Sequence, residues 1–390
     1  MKEGWEYKKL GELGTFQRGG GFLKSDYVEN GFPCIHYGQI HTKFGVSVDR
    51  HLTSISKEKA HKSKIASKGD IIIAITSEDV EGSCKCTAWM GNYDVAVGAH
   101  TAIFKHNQNP LYISYVLRSK RFNEDKTKYA HGFKVVEIKP DDISKIAIPV
   151  APISIQEYIV SELDLLSRVI EKHKAQLEEL DKLAQSIFYD MFGDPVTNEK
   201  GWEMKKLFEI SNVGTGSTPS RNNDKYYEEG TIPWVKTTEV QNCDIFDTEE
   251  KITEFAIKET NCKVYPIGTL LMAMYGQGKT RGQLAKLRIE AATNQACAAI
   301  VLNNGFSNPY YIYEYLHLQY ENIRDMARGG NQLNLNLNIV KAIPIYLPPL
   351  SLQQEFAAKI EAIEAMKAKV RQSLKEAETL FNERMNCYFG

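Results

Sequence analysis

The chain has 390 residues, 43% apolar, 10% aromatic and 25% charged, and reads as globular with room for two or three domains of ordinary size. No stretch approaches the roughly 20 apolar residues of a membrane span, and Met1-Lys2-Glu3-Gly4-Trp5 is not a signal peptide. A soluble cytoplasmic protein without a membrane partner is expected. The 48 basic and 49 acidic residues nearly cancel, so an anionic partner would have to be met by local basic patches and a second protein that helps to hold it.

The elements follow in chain order as two copies of one unit. The first copy opens with Gly4-Trp5-Glu6-Tyr7-Lys8-Lys9-Leu10. Apolar runs from Asp70 to Thr76 and from Thr101 to Phe104, separated by Gly, Asn and Asp turns, predict strands of a mixed α+β domain over 1–150. Asn109-Pro110 predicts the start of a short helix with proline at its first position. At Pro152 the composition changes. From Ser154 to about Met191 there is no Gly or Pro, and Glu, Lys, Ala and Leu dominate, which predicts a long helix within 151–193. Its apolar positions keep a heptad: Ile159, Leu163, Leu166, Ile170, His173, Leu177, Leu180, Ala184, Ile187 and Met191. On such a seam His173 reads as a packing or pairing residue rather than a ligand.

The second copy begins at Gly201-Trp202-Glu203-Met204-Lys205-Lys206-Leu207, an offset of 197. Strands are predicted at Leu270 to Tyr275 and Ala298 to Leu302, and a helix start at Asn308-Pro309, within a domain over 194–347. The proline segment and second long helix, 348–390, return to the offset of 197, as Pro152-Ile153-Ser154-Ile155-Gln156 against Pro349-Leu350-Ser351-Leu352-Gln353 shows. The second seam is Phe356, Ile360, Ile363, Lys367, Val370, Leu374, Ala377, Phe381, Arg384 and Tyr388, with Lys367 and Arg384 expected to snorkel or to fix the register. In the middle of each copy the offset drifts to 199 or 200. Either the duplicated domains have simply drifted, or their middles bind different things through one scaffold.

Two equal helices in one chain are expected to pair with each other as an antiparallel coiled coil, roughly 55 Å long for ~37 residues. That arrangement puts the two domains at opposite ends of a rod, with internal pseudo-twofold symmetry and the chain termini close together. The fold class is therefore α+β: two mixed domains separated by two long helices.

This order of domain, proline-Gln segment and long helix, taken twice, resembles the specificity subunit of type I restriction-modification systems, the HsdS family. The resemblance is carried by Gly4-Trp5-Glu6, Gly201-Trp202-Glu203, Gly329-Gly330-Asn331-Gln332-Leu333-Asn334-Leu335-Asn336, Pro348-Pro349-Leu350-Ser351-Leu352-Gln353 and Phe188-Tyr189-Asp190-Met191-Phe192-Gly193-Asp194-Pro195. It implies that each domain is a target recognition domain reading half of a bipartite site in double-stranded DNA, with the helix pair setting the spacer and docking two methyltransferase subunits. It implies no catalysis and no cofactor in this chain. S-adenosylmethionine, ATP and Mg are expected on partner subunits, which include a restriction/translocase subunit in some systems.

Base edges are read by hydrogen-bonding side chains and phosphates by Lys or Arg. In the second domain the candidates are Thr218 and Arg221 of a Gly-rich loop, Lys236 and Thr237 after an apolar strand, and Gln277, Lys279 and Arg281 between flexible glycines. Asn331 and Gln332 match the family's Gly-x-x-Gln-x-x-Leu-Asn motif. The first domain has Gly132-Phe133-Lys134-Val135-Val136-Glu137 there, and offers Arg18, Lys24, Tyr37, Gln39, His41, Thr76, Ser77 and Lys134, with Glu78 either an acceptor for cytosine, a helix cap or an ion-pair partner.

Two other readings are weighed. A self-sufficient adenine-specific methyltransferase or nuclease would make Asn308-Pro309-Tyr310-Tyr311 a base-binding motif, but it lacks the second proline, occurs twice and follows no Gly-rich cofactor loop. A coiled-coil scaffold that does not bind DNA is the other. The seven cysteines are scattered, and Cys84-x-Cys86 has no second pair at zinc spacing, so reduced thiols are expected.

Overall fold

The strand of three isoleucines at 71–73 sits at the centre of the first domain, buried on both faces, which is why its sequence runs apolar without alternating. In a computed structural model, which describes residues 4–132, 134–276, 278–303, 305–327 and 334–390, the chain divides into two compact units. One comprises Met1–Lys174 and Gln372–Gly390, the other Ala175–Arg371. In the first, a five-stranded sheet runs in the order Gly14–Arg18, Thr101–His106, Ile71–Ala74, Cys86–Trp89, Ser47–Val48. A second has the order Tyr27–Val28, Thr53–Ile55, Phe32–Ile35, Val95–Val97, Lys64–Ala66.

Among the described residues the other unit repeats this topology except for the outer strand Tyr27–Val28 of the smaller sheet. Its larger sheet has the order Ser211–Thr215, Cys297–Leu302, Leu270–Ala273, Leu284–Leu287, Cys243–Ile245, and its smaller sheet Glu250–Ile252, Ile232–Val235, Ala291–Thr293, Val264–Tyr265. In each unit the strand after the tryptophan pairs antiparallel with the strand before the proline segment: Glu6–Lys9 with Ala147–Val150, and Glu203–Lys206 with Pro344–Leu347. The parts that kept the offset of 197 are those that close each domain.

The Asn-Pro motifs are helix starts. The Asn109 side chain accepts from the backbone N–H of Leu111 and Tyr112, and Asn308 accepts from Tyr310, each with proline opening the helix. Each asparagine is in turn held by the glutamine of the proline segment. Gln156 Oε1 accepts from Asn109 N at 3.0 Å while its Nε2 donates to the Ala151 carbonyl at 2.8 Å. Gln353 does the same with Asn308 N at 2.9 Å and the Pro348 carbonyl at 2.8 Å. Both glutamines are fully buried, so these partners replace water for every group they touch.

The long helices are Ile153–Phe192 and Leu350–Phe389. Within each unit they run antiparallel. In the first, Lys174 pairs with Glu378 at 3.0 Å and Glu162 with Arg384 at 2.9 Å; in the second, Asp181 pairs with Lys367 at 2.6 Å and Lys359 Nζ lies 3.8 Å from Met191 Sδ. Lys367 is buried and also bonds Glu364 at 2.8 Å, whereas the side chain of Arg384 is largely exposed. Where the seam meets a domain it is buried: Ile159 and Leu163 in one unit, Phe356, Ile360, Ile363 and Val370 in the other. Leu166, Ile170, Leu177, Leu180, Leu374 and Phe381 are half-buried, because two helices alone cover only one side of such residues. His173 is half-buried on the seam, with Nδ1 shielded and lacking a hydrogen-bond partner.

Replacing Gln353 with Ala strands the Asn308 N–H and the Pro348 carbonyl in the interior. A loss of roughly 2–4 kcal/mol is expected in urea unfolding of the full chain. A loss below about 0.5 kcal/mol would contradict the bridging role.

Candidate nucleic-acid interface

The strand ends at Ala74 and Ala273 lead into equivalent loops, both closed by backbone bonds at their bases. Cys84 N donates to the Ala74 carbonyl and Gly282 N to the Ala273 carbonyl, each at 2.8 Å. A second segment in each domain, Val136–Glu137 with Ile138 in the first and Leu335 in the second, is tied to the same strand ends. In the first domain Val136–Glu137 pairs with Thr76–Ser77, and Ile138 N donates to the Ile75 carbonyl at 2.9 Å. In the second domain Leu335 N donates to the Met274 carbonyl at 3.0 Å. Two regions distant in sequence therefore meet at one edge in each domain.

In the first domain this edge borders a cleft of about 940 Å³ lined by Tyr37, His41, Thr76, Ser77, Glu78 and Asp79 among others. The rings of His41 and His100 lie edge-on to the half-exposed Tyr37. His41 Nε2 contacts the Thr76 carbonyl at 3.1 Å, and Thr76 itself is buried on the cleft floor. Lys85 Nζ donates to the His41 carbonyl, and Arg118 Nη2 to the carbonyls of Gly45 and Cys86. These cations are committed to backbone oxygens and form a wall rather than a loose patch. Asp79 accepts from Gly82 N at 2.6 Å and so shapes the loop; Glu78 is exposed beside it. Lys134 and Lys24 are also exposed.

The other candidates have mixed fates. Gln39 is turned inward, a correction: only 5% exposed, it accepts from His36 N and donates to Thr53 Oγ1. It is a helix-capping residue, as Glu239 is in the second domain, where its carboxylate accepts from Lys236 N at 2.7 Å. Arg18 forms an ion pair with Glu137 at 2.7 Å. Arg221 bonds Glu250 at 2.5 Å and stacks 4.6 Å over Tyr227 and 5.1 Å over Trp234. Lys236 pairs with Glu249 at 2.7 Å and with the same Glu250 at 3.0 Å. Thr237 donates to Asn294 and Thr218 to Gln295. Lys279 is exposed, whereas Arg281 is half-buried with a shielded, unpartnered Nε. Gln277, Asn331 and Gln332 lie outside the described residues.

Cys84 and Cys86 are buried thiols in no disulfide, and burial pushes the Cys84 thiol up to about 12. Among the described residues no group of three or more His, Cys, Asp or Glu is placed to hold a metal, and no helix is long and apolar enough to cross a membrane.

A family profile described as "Type I restriction modification DNA specificity domain" matches residues 2–182 and again 199–378. The chain belongs to this family. Its two matched segments are the two copies of the repeat. A specificity subunit of the type I restriction enzyme MjaIX from Methanocaldococcus jannaschii is 24% identical over 65% of this chain and 62% of its own length, so the chain spans less than two thirds of that relative. The StySPI specificity subunit from Salmonella potsdam is 20% identical over 98% of this chain and 87% of that one. The crystal structure of a type I restriction-modification S subunit from M. genitalium has the same fold, with a TM-score of 0.62 at 15% identity over 99% of this chain and 96% of that one. A chain from a study of complex assembly and conformational transition in a type I system superposes with a TM-score of 0.57 at 16% identity, over 99% and 97%.

Sequence reasoning missed two residues that touch the loops at these edges, Lys126 and Arg324. Both lie on short helices more than forty residues away in the chain, where a basic residue ordinarily reads as solvent-facing.

Hydrogen bonding from Arg221, reinforced by Lys236, holds the Glu250 carboxyl below its ordinary range. A group with a lowered folded pKa stabilises above its unfolded pKa and loses that contribution as pH falls through the folded value. Glu250→Gln is therefore expected to destabilise the second domain by about 0.5–1 kcal/mol at pH 7, and the gap to the parent protein should close as the pH is lowered below about 4. Melting curves at both pH values check this; a gap that persists in acid would contradict it.

Proposed function

We propose that this chain is the DNA specificity subunit of a type I restriction-modification complex, with 1–150 and 194–347 as its two target recognition domains. Each domain reads half of a bipartite duplex site through the edge formed by the loop after its central strand. The helices within 151–193 and 348–390 set the spacer between the half-sites and dock two methyltransferase subunits. The chain itself performs no chemistry, and restriction/translocase subunits join the same assembly.

One observation carries this reading. The duplicated frame is kept in strand order, glutamine clasp and helix register, while the equivalent loops differ in charge. Glu78, Asp79 and Glu81 occupy the first and Lys279 and Arg281 the second. One frame used twice with unlike loops matches the demand of an asymmetric bipartite site, since sequence preference follows from the side chains that each domain presents. The near-neutral charge of the chain fits a subunit that shares phosphate contacts with partners. Tyr37, Ser77 and Lys134 in the first domain, and Thr218, Lys279 and Arg281 in the second, are the proposed contacts among the described residues. Lys24 at the surface, and Arg18, Arg221 and Lys236 once released from their acids, would add phosphate contacts. Thr76 supports the first edge from beneath, Thr237 enters through its bond to Asn294, and Gln277, Asn331 and Gln332 join the proposal on sequence grounds.

The test is selection from a random duplex library by the chain assembled with methyltransferase subunits. Two specified blocks separated by a spacer of fixed length are expected; recovery of no motif, or of one continuous block, would overturn the reading. Lys279→Ala should weaken binding about 3- to 10-fold on all sequences alike and reduce the slope of log affinity against log salt by about 1. An unchanged salt slope would remove Lys279 from the phosphate contacts.

A further inference from the structure

In both domains a cation from the short helix following the Asn-Pro helix reaches back to the loop after the central strand and grips its carbonyl oxygens. In the first domain the cation is Lys126, the last residue of the helix Lys120–Lys126 and only 1% exposed. Its Nζ donates to the Glu81 carbonyl at 2.8 Å, the Ser83 carbonyl at 2.5 Å and Asn123 Oδ1 at 2.6 Å, which uses all three of its protons. In the second domain the cation is Arg324, on the helix Tyr320–Met326. Its Nη2 donates to the Gly278 carbonyl at 2.9 Å and its Nη1 to the Arg281 carbonyl at 3.1 Å. Tyr320 completes the grip by donating to the Lys279 carbonyl at 2.5 Å, and Arg324 Nη1 bonds that same phenol oxygen at 2.6 Å.

The two grips use different residues, a lysine at 126 and an arginine at 324, yet they converge on the same loop of the repeat. Lys126 is buried, and the half-buried Arg324 turns its guanidinium to the loop. Lys126 has no proton left for a ligand, and Arg324 spends both terminal nitrogens on the loop and Tyr320. Their role is to decide the conformation in which the loop side chains are offered. Loop carbonyls with no strand partner would otherwise turn to water and sample many conformers, and ordering them on contact with DNA would lower affinity and blur discrimination between bases. Gly282 shows how closely the second grip is fitted. Its φ is +87°, and a Cβ there would lie 3.2 Å from Arg324 Cγ and 3.4 Å from the Tyr320 ring.

We propose that Lys126 and Arg324 are positioning residues that preset the two recognition loops, each governing the base discrimination of its own half-site and not of the other. This rests on the specificity-subunit function proposed above.

The test reads both half-sites at once. The chain, assembled with its methyltransferase subunits, is presented with a random duplex library, and discrimination at every base is compared between parent and variants. Arg324→Met is expected to reduce discrimination roughly tenfold at one or more bases of the second half-site and to leave the first unchanged; Lys126→Met should do the reverse. Arg324→Lys should recover part of the loss, because a cation on one carbonyl is restored. Gly282→Ala, which keeps the guanidinium but displaces it, should reproduce the half-site effect of Arg324→Met. Asn123→Ala, which keeps the buried cation and removes one acceptor, is the milder first-domain variant should Lys126→Met fail to fold. Folded variants that keep full discrimination in both halves would overturn the proposal, as would an equal loss in both halves, the signature of general destabilisation. A parent complex with no base preference at all would overturn the proposed function as well, which separates that failure from failure of the grip alone.

Discussion

The packing of one tyrosine-bearing helix against the two long helices is the contact on which each unit depends. In the second unit Tyr311 lies against Phe188 and Phe192 of the first long helix, which in turn pack on Phe356 of the second, with ring centroids 4.8 to 5.7 Å apart. In the first unit Tyr112 meets Phe389 at 5.4 Å, inside a core that also holds Ile159, Leu163 and Met385. Each tyrosine hydroxyl then donates to the strand before the proline segment, Tyr112 to the Pro149 carbonyl and Tyr311 to the Tyr346 carbonyl. Domain core and helix seam are thus one apolar body, and a domain cannot pivot on its helix without opening it. Within each unit this packing fixes the domain to the helix segments beside it.

The helix end is secured by the same economy of groups. Trp202 Nε1 donates to the Phe192 carbonyl at 2.9 Å and Tyr346 to the Gly193 carbonyl at 3.0 Å, so two orphan carbonyls at the helix terminus are satisfied by the next domain. Gly193, with φ +79°, supplies the left-handed turn that brings the chain round to Trp202. These are the residues at which the repeat stays in register. The loops, freed from such duties, carry acids in one copy and bases in the other.

Much of this was legible in the sequence, because it rests on local rules. The seam of Ile159, Leu163, Phe356 and Ile360 follows from periodicity, Asn-Pro from helix-start chemistry, and the doubled architecture from matching segments. What was hidden depends on tertiary partners. Gln39 looks like a base reader in a Tyr-Gly-Gln turn, though its place three residues after His36 is the spacing of a capping box. Arg221 and Lys236 look like free cations until the fold brings Glu250 between them. The grips by Lys126 and Arg324 join residues more than forty positions apart, and no spacing rule announces them. The first domain's departure from the Gly-x-x-Gln motif likewise conceals that Val136–Glu137 still pairs beside Thr76–Ser77.

The central claim is that two unlike recognition edges, one in each copy of the repeat, dictate which DNA is modified. Base-resolved adenine methylation of the host genome, compared before and after deletion of this gene alone, tests it most directly. The account predicts that methylation disappears from one bipartite site, two short specified blocks around a fixed unspecified spacer, and returns when the gene is restored. A methylation pattern unchanged by the deletion, in cells whose methyltransferase subunits are still made, would contradict it.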